Sequence, residues 1–208
     1  MKVLILGSTG RTGQELVKQA IDQGHEVTAF VRDPTKMNLS HEKLTIAEGN
    51  ILDKAQLLRA IEGKDAVLSA LGSGKSLKSN DLVTNAVNLL LPAMEKTNIQ
   101  RLIFLSAFGV GETYLHANMI QRIIFKTFLK NIYADKGRAE VLIRASNLDW
   151  TFVYPVVLTD GPLTGKYQVG ENLQMKGMPK ISRADVAEFM LQQLTGTATI
   201  RKAPIIMS

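Results

Sequence analysis

The residues best suited to chemistry form one run near the start of the chain, Gly7-Ser8-Thr9-Gly10-Arg11-Thr12-Gly13. It follows the apolar stretch Val3–Leu6 and opens a segment whose apolar residues, Leu16, Val17, Ala20 and Ile21, recur at helical spacing. A strand, a glycine turn and a helix in that order make a phosphate cradle. Gly7 permits the tight turn, Gly10 lets backbone approach a pyrophosphate, and Gly13 lets helix and strand pack closely. The helix N-terminus adds free N–H groups and a partial positive charge. Thr9, Arg11 and Thr12 lie among these glycines and are candidate contacts to the phosphates. The spacing is G-x-x-G-x-x-G rather than G-x-G-x-x-G, so the context carries the reading; a tight turn without ligand is the bland alternative.

A second reading point is the end of the next strand, Phe30-Val31-Arg32-Asp33. An acid about 20 residues past the glycines suits a ribose 2′-hydroxyl, whereas an Arg suits a 2′-phosphate. Arg32 holds that place, Lys36 follows within a turn, and Arg11 sits in the glycine loop. Three cations around a dianionic phosphate point to NADP rather than NAD. Asp33 is the counter-candidate, but strand alternation sends neighbours to opposite sides.

A third run, Ser69 to Ser76, nearly spells G-x-x-x-x-G-K-[ST], with Ser69 in place of the first glycine. A triphosphatase would also need an acid at the end of a later strand to hold magnesium, and Arg101–Leu105 ends in Ser106 instead. The run reads as a Gly/Ser loop beside the ligand.

The elements that must position these residues alternate along the chain. Strands are expected at Val3–Leu6, Val27–Val31, Leu44–Ala47, Ala66–Ser69, Leu102–Leu105, Trp150–Tyr154 and Ile205–Met207. Helices are expected from Gly13 to Gln23, from an Asp53 cap to Ile61, and after an Asn80 or Asp81 cap with Pro92 kinking or ending it. Two more are expected, one in two pieces between Met119 and Ala145 and one from a Ser182 cap to Leu194. The fold class is α/β: a Rossmann-type doubly wound parallel sheet in a single domain, residues 1–208, with about 155–208 as a small appendage on the substrate side.

Composition narrows the alternatives. The chain has 208 residues and no cysteine, which excludes disulfides, thiolate metal sites and cysteine nucleophiles. His25, His41 and His116 have no metal-ligand spacing, so no metal is expected. The net charge of +6 suits an anionic small molecule. With 6 % aromatic residues and no basic–aromatic interleave, nucleic acid is not expected. The N-terminal apolar run is too short for a signal peptide and nothing approaches a ~20-residue span, so a cytoplasmic protein without a membrane partner is expected. Monomer or weak dimer is the expected state. The run Met119 to Lys130 mixes apolar and basic residues as interfacial helices do, though core or lid is the commoner use of such a stripe.

Across almost its whole length the chain resembles the atypical short-chain dehydrogenase/reductases of the NmrA-like type, and within them the flavin reductase/biliverdin-IXβ reductase group. The matching pieces are the glycine run, Val31-Arg32-Asp33, Gly49-Asn50-Ile51-Leu52, Asp65-Ala66-Val67, Ser106-Ala107-Phe108, Asp149 to Val153, Gly161 to Tyr167 and Ile181 to Asp185. The resemblance implies that Gly7 to Gly13 wraps the pyrophosphate and that Arg32, with Lys36, holds the 2′-phosphate. It puts Asn50 and Ile51 at the adenine, where the family usually has Asp first. Leu71 and Gly72 would pass the ribose and nicotinamide, with Ser106, Pro155 and Val156 bordering the same pocket.

For catalysis, the resemblance offers Ser106, Tyr133 and Lys136. Tyr133-Ala-Asp-Lys136 is one residue short of the superfamily's Tyr-x-x-x-Lys, and Lys136 also fits a family Lys-x-x-x-Glu pattern with Glu140. The function so implied is NADPH-dependent hydride transfer to a planar conjugated acceptor: a flavin such as FMN or FAD first, a bilin or quinone next. Phe108, Val110, Leu163 and Tyr167 are candidate pocket lining. The alternative is a non-catalytic NADP sensor that acts through a protein partner.

Overall fold

The protein is described here from a computed structural model, which covers residues 1–72, 74, 80–174 and 177–208. The first half alternates as its apolar pattern requires: β1 (Lys2–Leu6), α1 (Arg11–Asp22), β2 (Glu26–Val31), β3 (Leu44–Glu48), α2 (Lys54–Ile61), β4 (Ala66–Ser69), α3 (Leu82–Lys96) and β5 (Arg101–Leu105). Then come α4 (Met119–Thr127), α5 (Lys130–Arg144), β6 (Asp149–Pro155), β7 (Val157–Thr159), β8 (Gln168–Gly170), β9 (Lys180–Ser182), α6 (Arg183–Gln192) and β10 (Ile205–Met207).

The main sheet runs β3-β2-β1-β4-β5-β6-β10-β8. Every pairing from β3 to β10 is parallel, and only β8 runs antiparallel, on β10. A parallel sheet has both faces covered, which is why β1, β4 and β5 are almost wholly apolar and buried. Helix α1 packs on α6, and α3 packs on α2 and α5. Chain order reverses between β1 and β4, so the carboxyl ends of these strands frame the crevice where ligands bind in open α/β sheets.

The C-terminal segment extends the same sheet. β10 adds to β6, β8 closes the edge, and β7 pairs with β9 beside it. Asp185 pins the loop between β7 and β8: its carboxylate accepts from the Thr164 and Gly165 N–H groups at 2.7 and 2.9 Å and from the Thr164 hydroxyl at 3.0 Å. Ser182 caps α6 as expected, accepting from the Asp185 N–H at 2.9 Å.

Two local expectations are corrected by tertiary structure. The start of α3 is not capped by Asn80 or by the side chain of Asp81, which adopts a left-handed backbone (φ 53°) and pairs with Arg138. Asp135, on α5, caps it from outside: its carboxylate accepts from Val83 and Thr84 N–H at 3.0 and 2.9 Å and from the Thr84 hydroxyl at 2.6 Å. Pro92 does not end α3 either. It lies on the exposed side of the helix, which continues to Lys96.

Because Asp135 is buried and satisfies two helix N–H groups from another element, Asp135→Ala is expected to lower stability by about 1–3 kcal/mol. Urea denaturation measures this; an unchanged midpoint would show that water replaces the cap.

Candidate cofactor and active site

The glycine turn is built by close backbone approach. Gly7 sits at φ +79°, and a Cβ there would lie 2.6 Å from the Ala70 carbonyl oxygen. A Cβ on Gly13 would lie 2.1 Å from the Gly7 carbonyl oxygen, so the first turn of α1 rests on β1 only if position 13 has no side chain. The turn is closed by Gly10 N–H donating to the Gly7 carbonyl at 3.0 Å and by the buried Ser8 hydroxyl donating to Ile5 at 2.7 Å. Gly10 is the N-cap residue of α1; no side chain caps that end and its first turn holds no acid. The N–H groups of the first turn therefore have neither a helical nor a side-chain acceptor, the condition for binding an anion. Thr12 is buried beside this end and Thr9 half-buried. Arg11 reaches across to Asp160 (2.7 Å), which also accepts from Arg183 (2.6 Å) and so ties the glycine loop to the segment after β7.

Just past β2 the two neighbours differ in their partners. Asp33 caps a short 3-10 turn, Pro34–Lys36. Its carboxylate accepts from the Thr35 hydroxyl at 2.5 Å and the Thr35 N–H at 3.1 Å, and it pairs with Lys36 at 3.3 Å. The Thr35 hydroxyl and then Lys36 hold its carboxyl below the ordinary range. Arg32 is exposed, and among the described residues its guanidinium has no ion pair or hydrogen bond. Asp33 is thus engaged locally while Arg32 is available. Lys36 is drawn toward Asp33.

Asn50 lies exposed past β3, its Oδ1 accepting from the Leu52 N–H at 3.0 Å, with Ile51 buried beneath. Gly49 is pressed on the Phe30 ring, where a Cβ would approach to 2.6 Å.

A buried polar cluster occupies the carboxyl end of β5. Ser106 donates to the Glu140 carboxylate, and the Tyr154 hydroxyl donates to the other Glu140 oxygen at 2.7 Å. Burial pushes the Glu140 carboxyl above its ordinary range, only partly offset by those two donors and by Arg144 and Lys136. Lys136, one turn earlier on α5, donates to the Leu105 carbonyl at 2.7 Å and the Leu71 carbonyl at 3.3 Å, so it ties the end of β5 to the segment that follows the neighbouring strand β4. One of its three donors remains. Desolvation lowers the Lys136 ammonium to about 8.

Tyr133 is turned elsewhere. Its hydroxyl donates to the Phe108 carbonyl at 3.0 Å, its ring packs on Phe125 at 5.0 Å, and burial raises its pKa. Among the described residues no hydrogen bond joins it to Lys136 or Ser106. The structure therefore brings Ser106 and Lys136 together at one strand end and leaves Tyr133 one layer away. Pro155 and Val156 are buried beside them, with the Pro155 carbonyl accepting from Phe108 N–H at 3.0 Å.

Of the expected lining, Phe108 and Val110 belong to the core, because Phe108 packs edge-on against Phe125 beneath α4; Leu163 is exposed and Tyr167 half-buried. Leu71 is half-buried and Gly72 exposed at the mouth. In the Ser69 to Ser76 run, Ser73, Lys75 and Ser76 lie outside the described residues.

Sequence reasoning missed Tyr154 and the Asp160 link altogether, and saw Glu140 only as the far end of Lys-x-x-x-Glu. That spacing was the available signal, since residues four apart share a helix face. No local pattern marks Tyr154, whose partner is fourteen positions away on another element.

A parallel sheet with a glycine turn and an uncapped helix N-terminus at its switch point defines a Rossmann-type dinucleotide-binding protein. The chain belongs to the NAD(P)H-binding family, whose model it matches over residues 7–197, and the NmrA-like resemblance fits this family. The photosystem II assembly factor Ycf39 of Synechocystis is 30 % identical over 223 residues, spanning 100 % of this chain and 63 % of that protein. Two solved structures share the fold. The anaerobilin reductase ChuY of Escherichia coli O157:H7 has a TM-score of 0.82 at 21 % identity, covering 100 % of this chain and 97 % of that one. A short-chain dehydrogenase/reductase of Veillonella parvula in complex with NADP has a TM-score of 0.84 at 20 % identity, covering 100 % and 94 %.

The depressed Lys136 value has a sign. Between about pH 8 and the ordinary lysine range near 10.5, the unfolded chain holds a proton that the folded chain has lost, so stability should rise with pH there. Lys136→Met is expected to remove that rise. Denaturation midpoints measured across this window check it; identical slopes for both proteins would show that Lys136 stays charged when folded.

Proposed function

We propose that the protein binds NADPH in preference to NADH and transfers hydride to a planar conjugated acceptor, a flavin first and a bilin or quinone next. The observation that carries the cofactor choice is the separation at the end of β2, where Asp33 is consumed by Thr35 and Lys36 while Arg32 stands unpaired among the described residues. A guanidinium fork matches a 2′-phosphate, and NADH would leave it unmatched. The uncapped, acid-free start of α1 fits the pyrophosphate. The NADP bound by the Veillonella relative and the bilin named for ChuY support the same direction.

NADPH when bound supplies the hydride, and the chain supplies orientation and the proton. Arg32 and the α1 N-terminus hold the two phosphate sites, and Lys136 tethers the segment after β4, at Leu71, to the end of β5. When Glu140 is protonated, its carboxyl becomes the donor in the bond it shares with Ser106, which frees the Ser106 hydrogen for the acceptor; as Ser106 gives up that proton, Glu140 passes its own to the Ser106 oxygen and is left as the carboxylate. Tyr133 takes no part in this route, its hydroxyl being spent on Phe108.

Steady-state NADPH oxidation with FMN, a bilin and dichlorophenolindophenol tests the activity. Turnover with at least one is expected; tight NADPH binding with no turnover on any would leave the sensor reading.

Arg32→Ala should weaken NADPH binding about 10- to 150-fold, the equivalent of about 1.5–3 kcal/mol, and spare NADH. Equal Kd values for the two cofactors in the unmodified protein would sink the assignment. Ser106→Ala should lower kcat more than it changes the NADPH Kd, by about 5- to 150-fold. Glu140→Gln, which keeps the shape but not the titrating proton, should lower kcat at least about tenfold and flatten its pH profile. A profile unchanged in Glu140→Gln would reduce Glu140 to a packing role.

A further inference from the structure

Helix α4 carries an apolar face that nothing in the described chain covers. Met119, Ile120 and Ile123 are 80, 65 and 57 % exposed, and Leu115 and Phe128 at its two flanks are 72 and 67 % exposed. Single exposed apolar residues are ordinary on protein surfaces; five large ones within one short stretch are not. The exposure is not fraying, because the helix start is closed by a complete capping box: Asn118 accepts from Gln121 N–H at 2.9 Å and Gln121 accepts from Asn118 N–H at 2.9 Å.

Charge on this stretch has one sign. Between Glu112 and Asp135 the sequence holds no acid, while Arg122, Lys126 and Lys130 are exposed. At ~100° per residue, Met119, Ile120 and Ile123 share one arc of α4, and Arg122 and Lys126 border it on one side. Those two cations are held in place over the Tyr114 ring at 5.4 and 5.7 Å, and Arg122 also donates to the Ala117 carbonyl at 2.8 Å.

We propose that α4 and its flanks are a docking surface for an anionic phospholipid membrane. The helix lies in the interface, with Leu115, Met119, Ile120 and Ile123 at the acyl boundary and Arg122, Lys126 and Lys130 among the headgroups. No described helix is long and apolar enough to cross a bilayer, so the contact is peripheral. A second copy fits less well, since pairing this face with itself would bring both sets of cations together. Core, one commoner use of such a stripe, is excluded by the exposures.

The test is co-sedimentation of the full chain with vesicles of phosphatidylcholine alone and of phosphatidylcholine mixed with phosphatidylglycerol. Binding is expected on the mixed vesicles only. It should fall at least about tenfold in 1 M salt, where the screening length is about 3 Å, and at least about tenfold again in Ile120→Ser/Ile123→Ser, with the NADPH Kd unchanged. Lys126→Glu/Lys130→Glu is a second variant for which folding does not depend on apolar residues, and it should lose binding equally. No binding to mixed vesicles, or binding that neither variant reduces, overturns the proposal. So does a dimer in sedimentation velocity that Ile120→Ser/Ile123→Ser dissociates, which would give the face to a second copy.

Discussion

The contact of Gly13 with the Gly7 carbonyl sets where the rest of the molecule can lie. With no side chain between them, α1 starts directly against the end of β1, and its N-terminus opens into the crevice beside β4. A methyl at position 13 would sit 2.1 Å from the Gly7 oxygen, far inside van der Waals contact, and would lever the helix off the sheet. The position of α1 then fixes that of α6, which packs on it, and the loop pinned by Asp185. One backbone approach thus couples the phosphate cradle to the far end of the chain.

The second constraint is burial of charge without a direct salt bridge. Lys136 and Glu140 are both buried at the end of β5, yet each is satisfied by neutral groups: two backbone carbonyls for the ammonium, two hydroxyls for the carboxylate. Desolvation then dominates both, moving the lysine down and the carboxyl up, so each neutral form comes closer to working pH. Groups tuned in opposite directions at a strand end facing a crevice are what proton chemistry requires. Arg144, stacked at about 5 Å over Trp150 and Phe152, lies behind the cluster and partly offsets the carboxyl's burial.

Charge is distributed in two patterns around the remaining surface. At the cofactor end, Asp160 holds both Arg11 and Arg183, and Asp33 holds Lys36, so local acids engage three cations and leave the Arg32 guanidinium open among the described residues. On α4 the cations have no acid near them in sequence and border apolar side chains instead. The first pattern leaves one cation open; the second spreads several over a surface.

The sequence by itself determined the alternation of strands and helices, the glycine turn, and the break between α4 and α5. Each of these is a local pattern: continuous apolar runs, a 3.6-residue stripe, glycines at fixed spacing. Ser182 as a cap was legible for the same reason, its partner being three residues away. The cap on α3 was not, because Asp135 reaches it from about fifty positions on and the local capping residues Asn80 and Asp81 looked sufficient. Nor were the burial of Phe108 and Val110, the turn of Tyr133 toward Phe108, or the pairing of Glu140 with Ser106 and Tyr154. A hydroxyl or carboxylate has many possible partners along a chain, and only packing decides which one it meets and how much water is left around it. The sequence could name residues able to carry a proton; the tertiary structure decided which were engaged elsewhere.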